Sequence, residues 1–383
     1  MTHGTARISD LVFPASNWNS SASADKNFVY VDISSVDASQ KMIVEPKSVP
    51  CSSAPSRARQ LLKPADVLVS TVRPNLNCVA YVPGELEGAI ASTGFCVLRP
   101  DEQALNSRYL FHWVQSKAFI GDMVSKATGA SYPAVSDSII LASKISLPPL
   151  EEQRRIAAIL DRAGSLQSLS QSAIAKLHQT LESSFRHLSS ITAYNCASKR
   201  LEEVVEAIID YRGKSPEKTA EGVPLITARL IKEGRILEAT EFIAPESYSE
   251  WMRRGMPKRG DVVFTTEAPL GQVAQIDNPD VALAQRLVLL RGKSKELDNT
   301  YLRFALRMNS VAEQIRKRAT GSTVLGIRQK ELRQIEIPLP ALEVQKDFAR
   351  LALAIESEIQ RLRHRADSVK ALKDSLANRL MEG

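Results

Sequence analysis

A chain of 383 residues is longer than one ordinary hydrophobic core supports, so two domains are expected. Hydrophobic residues make up 44% and charged residues 24%, a balance that excludes disordered and fibrous classes. With no run of about 18 apolar residues and no basic-then-apolar start between Met1 and Phe13, a cytoplasmic protein without membrane span or secretory signal is expected; the net charge of +7 only mildly favours a polyanion partner.

In chain order, Phe28-Val29-Tyr30-Val31-Asp32-Ile33 alternates and is rich in aromatic and β-branched residues, which predicts a strand. The segments Val67 to Val72, Val79 to Val82 and Phe95 to Leu98 read likewise, and Tyr109 to Val124 carries a helical pattern. After Leu147-Pro148-Pro149 a long helical stripe begins, with Ile156, Ile159, Leu160, Ala163, Leu166, Leu169, Ile174, Leu177, Leu181, Phe185 and Leu188 spaced by threes and fours. The order then repeats: strands at Leu225 to Thr227, Asp261 to Thr265, Val273 to Ile276 and Leu287 to Leu290, a helix from Tyr301 to about Arg318, and a second stripe of Phe348, Leu351, Ile355, Ile359, Leu362, Val369, Leu372, Leu376 and Leu380.

The repetition is also literal. At a shift of roughly 192 residues, Tyr109-Leu110 meets Tyr301-Leu302, Ala127-Thr128-Gly129 meets Ala319-Thr320-Gly321, Leu147-Pro148 meets Leu339-Pro340, and Gln153 meets Gln345. Upstream the shift drifts by a few residues, as loop length changes allow: Asp66-Val67 pairs with Asp261-Val262, and Arg7-Ile8 with Arg200-Leu201. A period this long is a tandem duplication of a domain with its tail, expected to pack about a pseudo-two-fold axis. The predicted fold is α/β (α+β), with antiparallel or mixed sheets: two similar globular domains, 1–149 and 195–340, and two long helices, 150–190 and 341–383. Glu151-Glu152 puts acid in the first turn of the first helix, where its dipole favours it. From Glu152 to Leu188 that helix would be about 55 Å long. Each stripe needs a partner and the chain supplies two, so an antiparallel intramolecular pair is favoured. Leu150, Gln153, Ile156, Leu160, Leu177, Leu342, Gln345, Ile355 and Leu362 are the residues expected at the helix or partner interface.

Several segments resemble type I restriction–modification specificity subunits: Ala54 to Arg59, Asp66 to Asn77, Ser92 to Phe95, Ala127 to Val135, and Leu147 to Leu160 with its Pro-Pro-Leu-Glu-Glu-Gln helix start. The resemblance covers nearly the whole chain. It implies that each globular domain is a target recognition domain reading one half of a bipartite, asymmetric site in double-stranded DNA. It implies that the helices set the spacer and dock two methyltransferase subunits, which bind S-adenosylmethionine. A restriction subunit using ATP and Mg is the further partner it allows. The second copy has Ala341-Leu342-Glu343-Val344-Gln345 in place of Pro149-Leu150-Glu151-Glu152-Gln153, and Thr323 to Ile327 in place of Ser131 to Val135, which suggests unlike half-sites.

Base reading needs Arg, Lys, Asn, Gln or Ser side chains on loops or helix ends. Arg73 and Asn75 follow a predicted strand, although Pro74 and Asn75 also make a turn. Thr128, Ser131 and Tyr132, and Thr320 and Ser322, lie in segments that read as glycine-capped turns after Lys126 and after Arg316, Lys317 and Arg318. Lys258, Arg286 and Arg328 are further candidates for DNA contact or for plain surface charge. No phosphate-cradling glycine loop, zinc-binding helix motif or Ser–His–acid set is found, so no catalytic residue, metal or cofactor is expected on this chain. Cys51, Cys78, Cys96 and Cys196 are scattered and read as reduced structural thiols. Two rival readings remain on residues alone: a two-headed coiled-coil scaffold that binds proteins, and a self-contained DNA methyltransferase or nuclease.

Overall fold

The computed structural model describes residues 4–19, 26–211 and 216–381, with the side chains of 192–195, 380 and 381 left aside, so Leu380 of the second stripe lies outside the described residues. The chain divides into two compact units. Unit 1 is Met1–Ser172 with Arg363–Gly383, and unit 2 is Ala173–Leu362. Both are α+β, and each takes part of both long helices, Leu150–Asn195 and Leu342–Met381. The first helix runs five residues past its expected end at 190. Among the described residues, no helix is long and apolar enough to cross a membrane.

In unit 1 a four-stranded antiparallel sheet is ordered Val79–Tyr81, Val67–Ser70, Phe95–Pro100, Val12–Phe13. A mixed five-stranded sheet is ordered Ser16–Asn17, Ala58–Leu61, Ile90–Ser92, Asn27–Val31, Lys47–Pro50, with Ile90–Ser92 and Asn27–Val31 parallel. Val67–Ser70 is buried on both faces because one side meets the helices and the other meets the second sheet, which is why it reads as an apolar run. Unit 2 repeats the plan with a sheet ordered Val205–Asp210, Leu287–Gly292, Val262–Thr265, Val273–Gln275 and a smaller one ordered Phe242–Ile243, Val223–Ile226, Ala282–Leu283.

The helix expected from Tyr109 to Val124 is two helices, Ser107–Trp113 and Lys117–Lys126. Ser116 divides them: its hydroxyl accepts from the Phe119 amide at 3.2 Å and caps the second. The Tyr301 to Arg318 helix is likewise Asn299–Ala305 and Asn309–Arg318.

The duplication extends to polar contacts inside the core. Asp66, fully buried, receives Arg99 through Nε at 2.9 Å and Nη2 at 2.8 Å; Asp261 receives Arg291 the same way at 2.8 and 2.6 Å. The Tyr109 hydroxyl donates to the Ser146 carbonyl at 2.9 Å, and that of Tyr301 to the Pro338 carbonyl at 2.8 Å.

Each long helix is bolted to the globular domain that precedes it by a buried glutamine. Gln153 Oε1 accepts from the Asn106 amide at 2.8 Å, and Nε2 donates to the carbonyls of Pro148 at 2.9 Å and Ala104 at 3.1 Å. Gln345 does the same with Asp298, Pro340 and Glu296 at 2.9, 2.8 and 3.0 Å. Further along the helices the copies diverge. In unit 1 Asp161 pairs with Arg108 and with His112 Nε2, the latter at 2.7 Å, and Lys373 of the second helix is held half-buried nearby. In unit 2 the position equivalent to His112 is Phe304, whose ring meets Phe348 edge-to-face at 4.9 Å and Phe185 at a tilt at 5.2 Å. Arg303 there takes Glu356 at 2.8 Å.

Candidate nucleic-acid interface

In unit 1 two loops meet where the strand Val67–Ser70 ends. The Ser70 hydroxyl donates to the Val72 carbonyl at 2.9 Å as the chain leaves the sheet. Val72 bridges Ala134, whose backbone exchanges two hydrogen bonds of 2.9 Å with Thr128. The Val135 amide donates to the Thr71 carbonyl at 2.8 Å, and the Arg73 amide to the Pro133 carbonyl at 2.7 Å. Arg73 is fixed at φ +50°, a left-handed conformation uncommon outside glycine. Its guanidinium lies 4.7 Å from the centroid of the Tyr132 ring, which is itself 69% exposed. Asn75, Thr128 and Ser131 are exposed on the same two loops. Lys126, at the end of the helix leading into them, pairs with Asp122 at 2.7 Å.

Unit 2 builds the same junction at the end of Val262–Thr265. The Ile327 amide donates to the Thr266 carbonyl at 2.9 Å, Glu267 bridges Gly326, and Thr320 and Gly326 exchange bonds of 2.8 and 2.9 Å. Ala268 sits at φ +50°. These loops border a cleft of about 850 Å³ lined by Ala268, Leu270, Arg307, Arg316, Val324 and Leu325 among others. Thr320 and Ser322 are exposed on its loop, and Lys317 beyond it.

The glycines do not cap helices as the sequence suggested. The helices end on Ala127 and Ala319 in extended backbone, and the turn comes two residues later at Gly129 (φ +100°) and Gly321 (φ +117°). A Cβ at Gly129 would also stand 2.9 Å from the Tyr132 carbonyl oxygen, so both the conformation and the close approach require glycine there.

Of the sequence candidates, Arg73, Asn75, Thr128, Ser131 and Tyr132 come together in unit 1, and Thr320, Ser322 and Arg316 in unit 2. Arg286 joins the second group, since the Thr266 amide donates to its carbonyl, but its Nε is spent on Glu267 at 2.7 Å. Arg328 follows Ile327 at the start of the helix Gln329–Arg333. Arg318 is half-buried and its Nε has no partner. Lys258 is not brought to the loop junction: it precedes the strand Val262–Thr265 and stands at that strand's opposite end. Arg307, also in the wall of the cleft, lies in the turn after the helix Asn299–Ala305 and has no local signal in the sequence.

The helix candidates are also redistributed. Gln153, Gln345, Ile156, Leu160 and Ile355 are buried against their own globular domains and offer nothing to a partner. Leu150, Leu342, Leu177 and Leu362 are half-buried. Leu166, Leu169, Leu351 and Leu372, placed in the seam by spacing, are exposed, Leu169 to 71% and Leu372 to 58%. Among the described residues, no three His, Cys, Asp or Glu side chains group so as to hold a metal ion.

The family model for the type I restriction modification DNA specificity domain matches this chain twice, over residues 59–179 and 195–362. The chain therefore belongs to that family. It is a specificity subunit of a type I restriction–modification system, a DNA-binding protein with two target recognition domains. It is similar to the type I restriction enzyme MjaVIII specificity subunit of Methanocaldococcus jannaschii, 26% identical over 319 residues that make up 78% of this chain and 74% of that one. The putative MjaX specificity subunit of the same organism is 23% identical over 83% of this chain and 78% of its own length. A chain solved in work on complex assembly and conformational transition of the type I R-M system superposes with a TM-score of 0.60 at 26% identity, covering 98% of this chain and 97% of that one. The type I restriction–modification S subunit from M. genitalium shares the fold, with a TM-score of 0.60 at 13% identity over 99% of this chain and 96% of its own.

Proposed function

We propose that each loop junction reads one half of a bipartite DNA site, unit 1 through Arg73, Asn75, Thr128, Ser131 and Tyr132 and unit 2 through Arg316, Lys317, Thr320 and Ser322. The observation that carries this is the duplication of one junction, in which the backbone pairings of Thr128 with Ala134 and Val135 with Thr71 recur as Thr320 with Gly326 and Ile327 with Thr266, with different side chains presented on them. A common frame with unlike surfaces suits a reader of two unlike half-sites. The long helices, 46 and 40 residues, serve as the spacer. Their exposed Leu169, Leu351, Leu353 and Leu372 are apolar surface of the kind a methyltransferase subunit would cover.

In this reading the chain chooses the site and partner subunits do the chemistry. Two methyltransferase subunits bring S-adenosylmethionine, and a restriction subunit, where one joins, brings ATP and Mg. This chain then contributes no catalytic group and no cofactor. Exchanging residues 1–149 for another recognition domain and mapping methylated sites tests it: one half-site changes and the other stays. A change in both halves, or in neither, overturns the modular reading.

A further inference from the structure

The two junctions correspond position by position, and among the differences is the pair Arg73 and Tyr132. Arg73-Pro74 corresponds to Ala268-Pro269, both with the first residue at φ +50°. Tyr132 corresponds to Val324, since Gly129 and Gly321, and the bonds of Thr128 with Ala134 and of Thr320 with Gly326, fix the register. A stacked cation and phenol in one unit is thus replaced by a methyl and an isopropyl group in the other.

Resting on the proposed reading of DNA by these loops, we infer that Arg73, held by Tyr132, reads a guanine in the half-site of unit 1, and that unit 2 reads no guanine at the equivalent place. Three observations support it. The Arg73 guanidinium has no hydrogen bond or ion pair among the described residues, whereas Arg286 at the other junction is paired with Glu267. Its Cζ lies 4.7 Å from the centroid of the exposed Tyr132 ring, a contact that spends none of its N–H donors and limits the rotamers it samples. The backbone beneath is fixed by the bond to Pro133 and by the left-handed φ. A planar fork of donors presented edge-on at fixed height matches the O6 and N7 acceptors that guanine alone offers in the major groove. Ala268 and Val324 offer no donor. Their surface suits a thymine methyl group.

The test uses the full chain with its methyltransferase partner, with methylated sites mapped in a cell and in a pool of random duplexes. R73A is expected to abolish a guanine requirement at a single base pair of one half-site, a loss of roughly 10-fold or more in relative preference, with the other half-site unchanged. Y132F keeps the ring and the requirement; Y132L relaxes it. The double variant A268R/V324Y is expected to add a guanine preference to the second half-site. An intact guanine requirement in R73A overturns the inference, as does a uniform loss over all sequences with a shallower salt dependence, which is the mark of a phosphate contact. Failure of the underlying reading looks different: there the wild type itself shows no bipartite motif, or its motif survives the exchange of residues 1–149.

Discussion

Asp66 is completely buried and Arg99 grips both of its oxygens, while its Oδ2 also accepts from the Lys63 amide at 2.8 Å. Removing only the guanidinium strands a buried carboxylate. R99A is therefore expected to cost roughly 3–5 kcal/mol, read as a shift in the denaturant midpoint. The apolar pair R99M/D66L should recover most of that loss, because no charge is then left without a partner. R291A in unit 2 should behave as R99A does.

Gln153 uses its carboxamide three times, so Gln153→Leu leaves the Asn106 amide and the carbonyls of Ala104 and Pro148 unsatisfied. A loss of about 2–4 kcal/mol follows, on the order of 1 kcal/mol for each of the three groups. Gln153→Glu should be pH-sensitive, since a carboxylate cannot donate to those carbonyls. Its folded pKa is raised, so this variant is most stable in acid and weakens as pH climbs through that value. A flat pH response would mean the helix start had shifted away from these carbonyls.

The Asp161 cluster gives the wild type its own acid sensitivity. Burial pushes the Asp161 carboxyl up, and the hydrogen bonds and charges of His112 and Arg108 outweigh it, leaving a pKa of about 2. Burial also holds the His112 imidazole below its ordinary value, against the pull of Asp161 and helped by Lys373 and Arg108. Both groups bind fewer protons folded than unfolded, so stability falls as pH falls. The His112 share is lost first, below about pH 6.5, and the Asp161 share between about 3.8 and 2. His112→Gln should flatten the upper part of the profile in thermal melts from pH 4 to 7, and an unchanged slope would remove His112 from the account.

The thiols supply a simple check on packing. Cys51, Cys78 and Cys96 are buried, and burial raises the thiols of Cys78 and Cys96, whereas Cys196 is half-buried. An aqueous thiol reagent is expected to label Cys196 rapidly in the native chain and the other three only on unfolding. Fast labelling of Cys96 would contradict the sheet packing around it.

If the helices are the spacer, inserting four residues into each at solvent-facing positions should change the number of unread base pairs while both half-sites keep their sequence. Methylated-site mapping reads both quantities at once. An unchanged spacer would leave the helices as scaffold only.

Much of this architecture is legible in the sequence because it rests on periodicity. Val67–Ser70, Phe95–Pro100 and their counterparts announce themselves as short apolar runs, and the register of the duplication is carried by Tyr109 and Tyr301, Gln153 and Gln345. What those residues do is another matter. The spacing that puts Gln153 on a helix also fits a partner contact, and only the nearness of Asn106, some 47 residues earlier, reveals an internal bolt. Leu169 sits on the stripe by count yet faces solvent, since a stripe shows where apolar residues lie and not how far a covering domain extends. Arg99 and Arg291 gave no signal at all, because an ion pair over 33 or 30 residues has no local pattern. The break at Ser116 was available from its capping chemistry, but the apolar rhythm on either side concealed it.

The composition of unit 1 has a bearing on how the chain matures. Its helix Leu150–Asn195 begins there, but the neighbouring stretch, with Lys373, Leu376 and Ala377 against the same core, arrives some 200 residues later. Ribosomal synthesis therefore delivers the first recognition domain with one flank uncovered, and unit 2 has been made in full before that flank closes. Contacts of such long sequence separation form late and slowly. A nascent chain arrested near residue 362 should expose to chaperones the flank that Lys373, Leu376 and Ala377 come to cover, and release of the last 20 or so residues should close it.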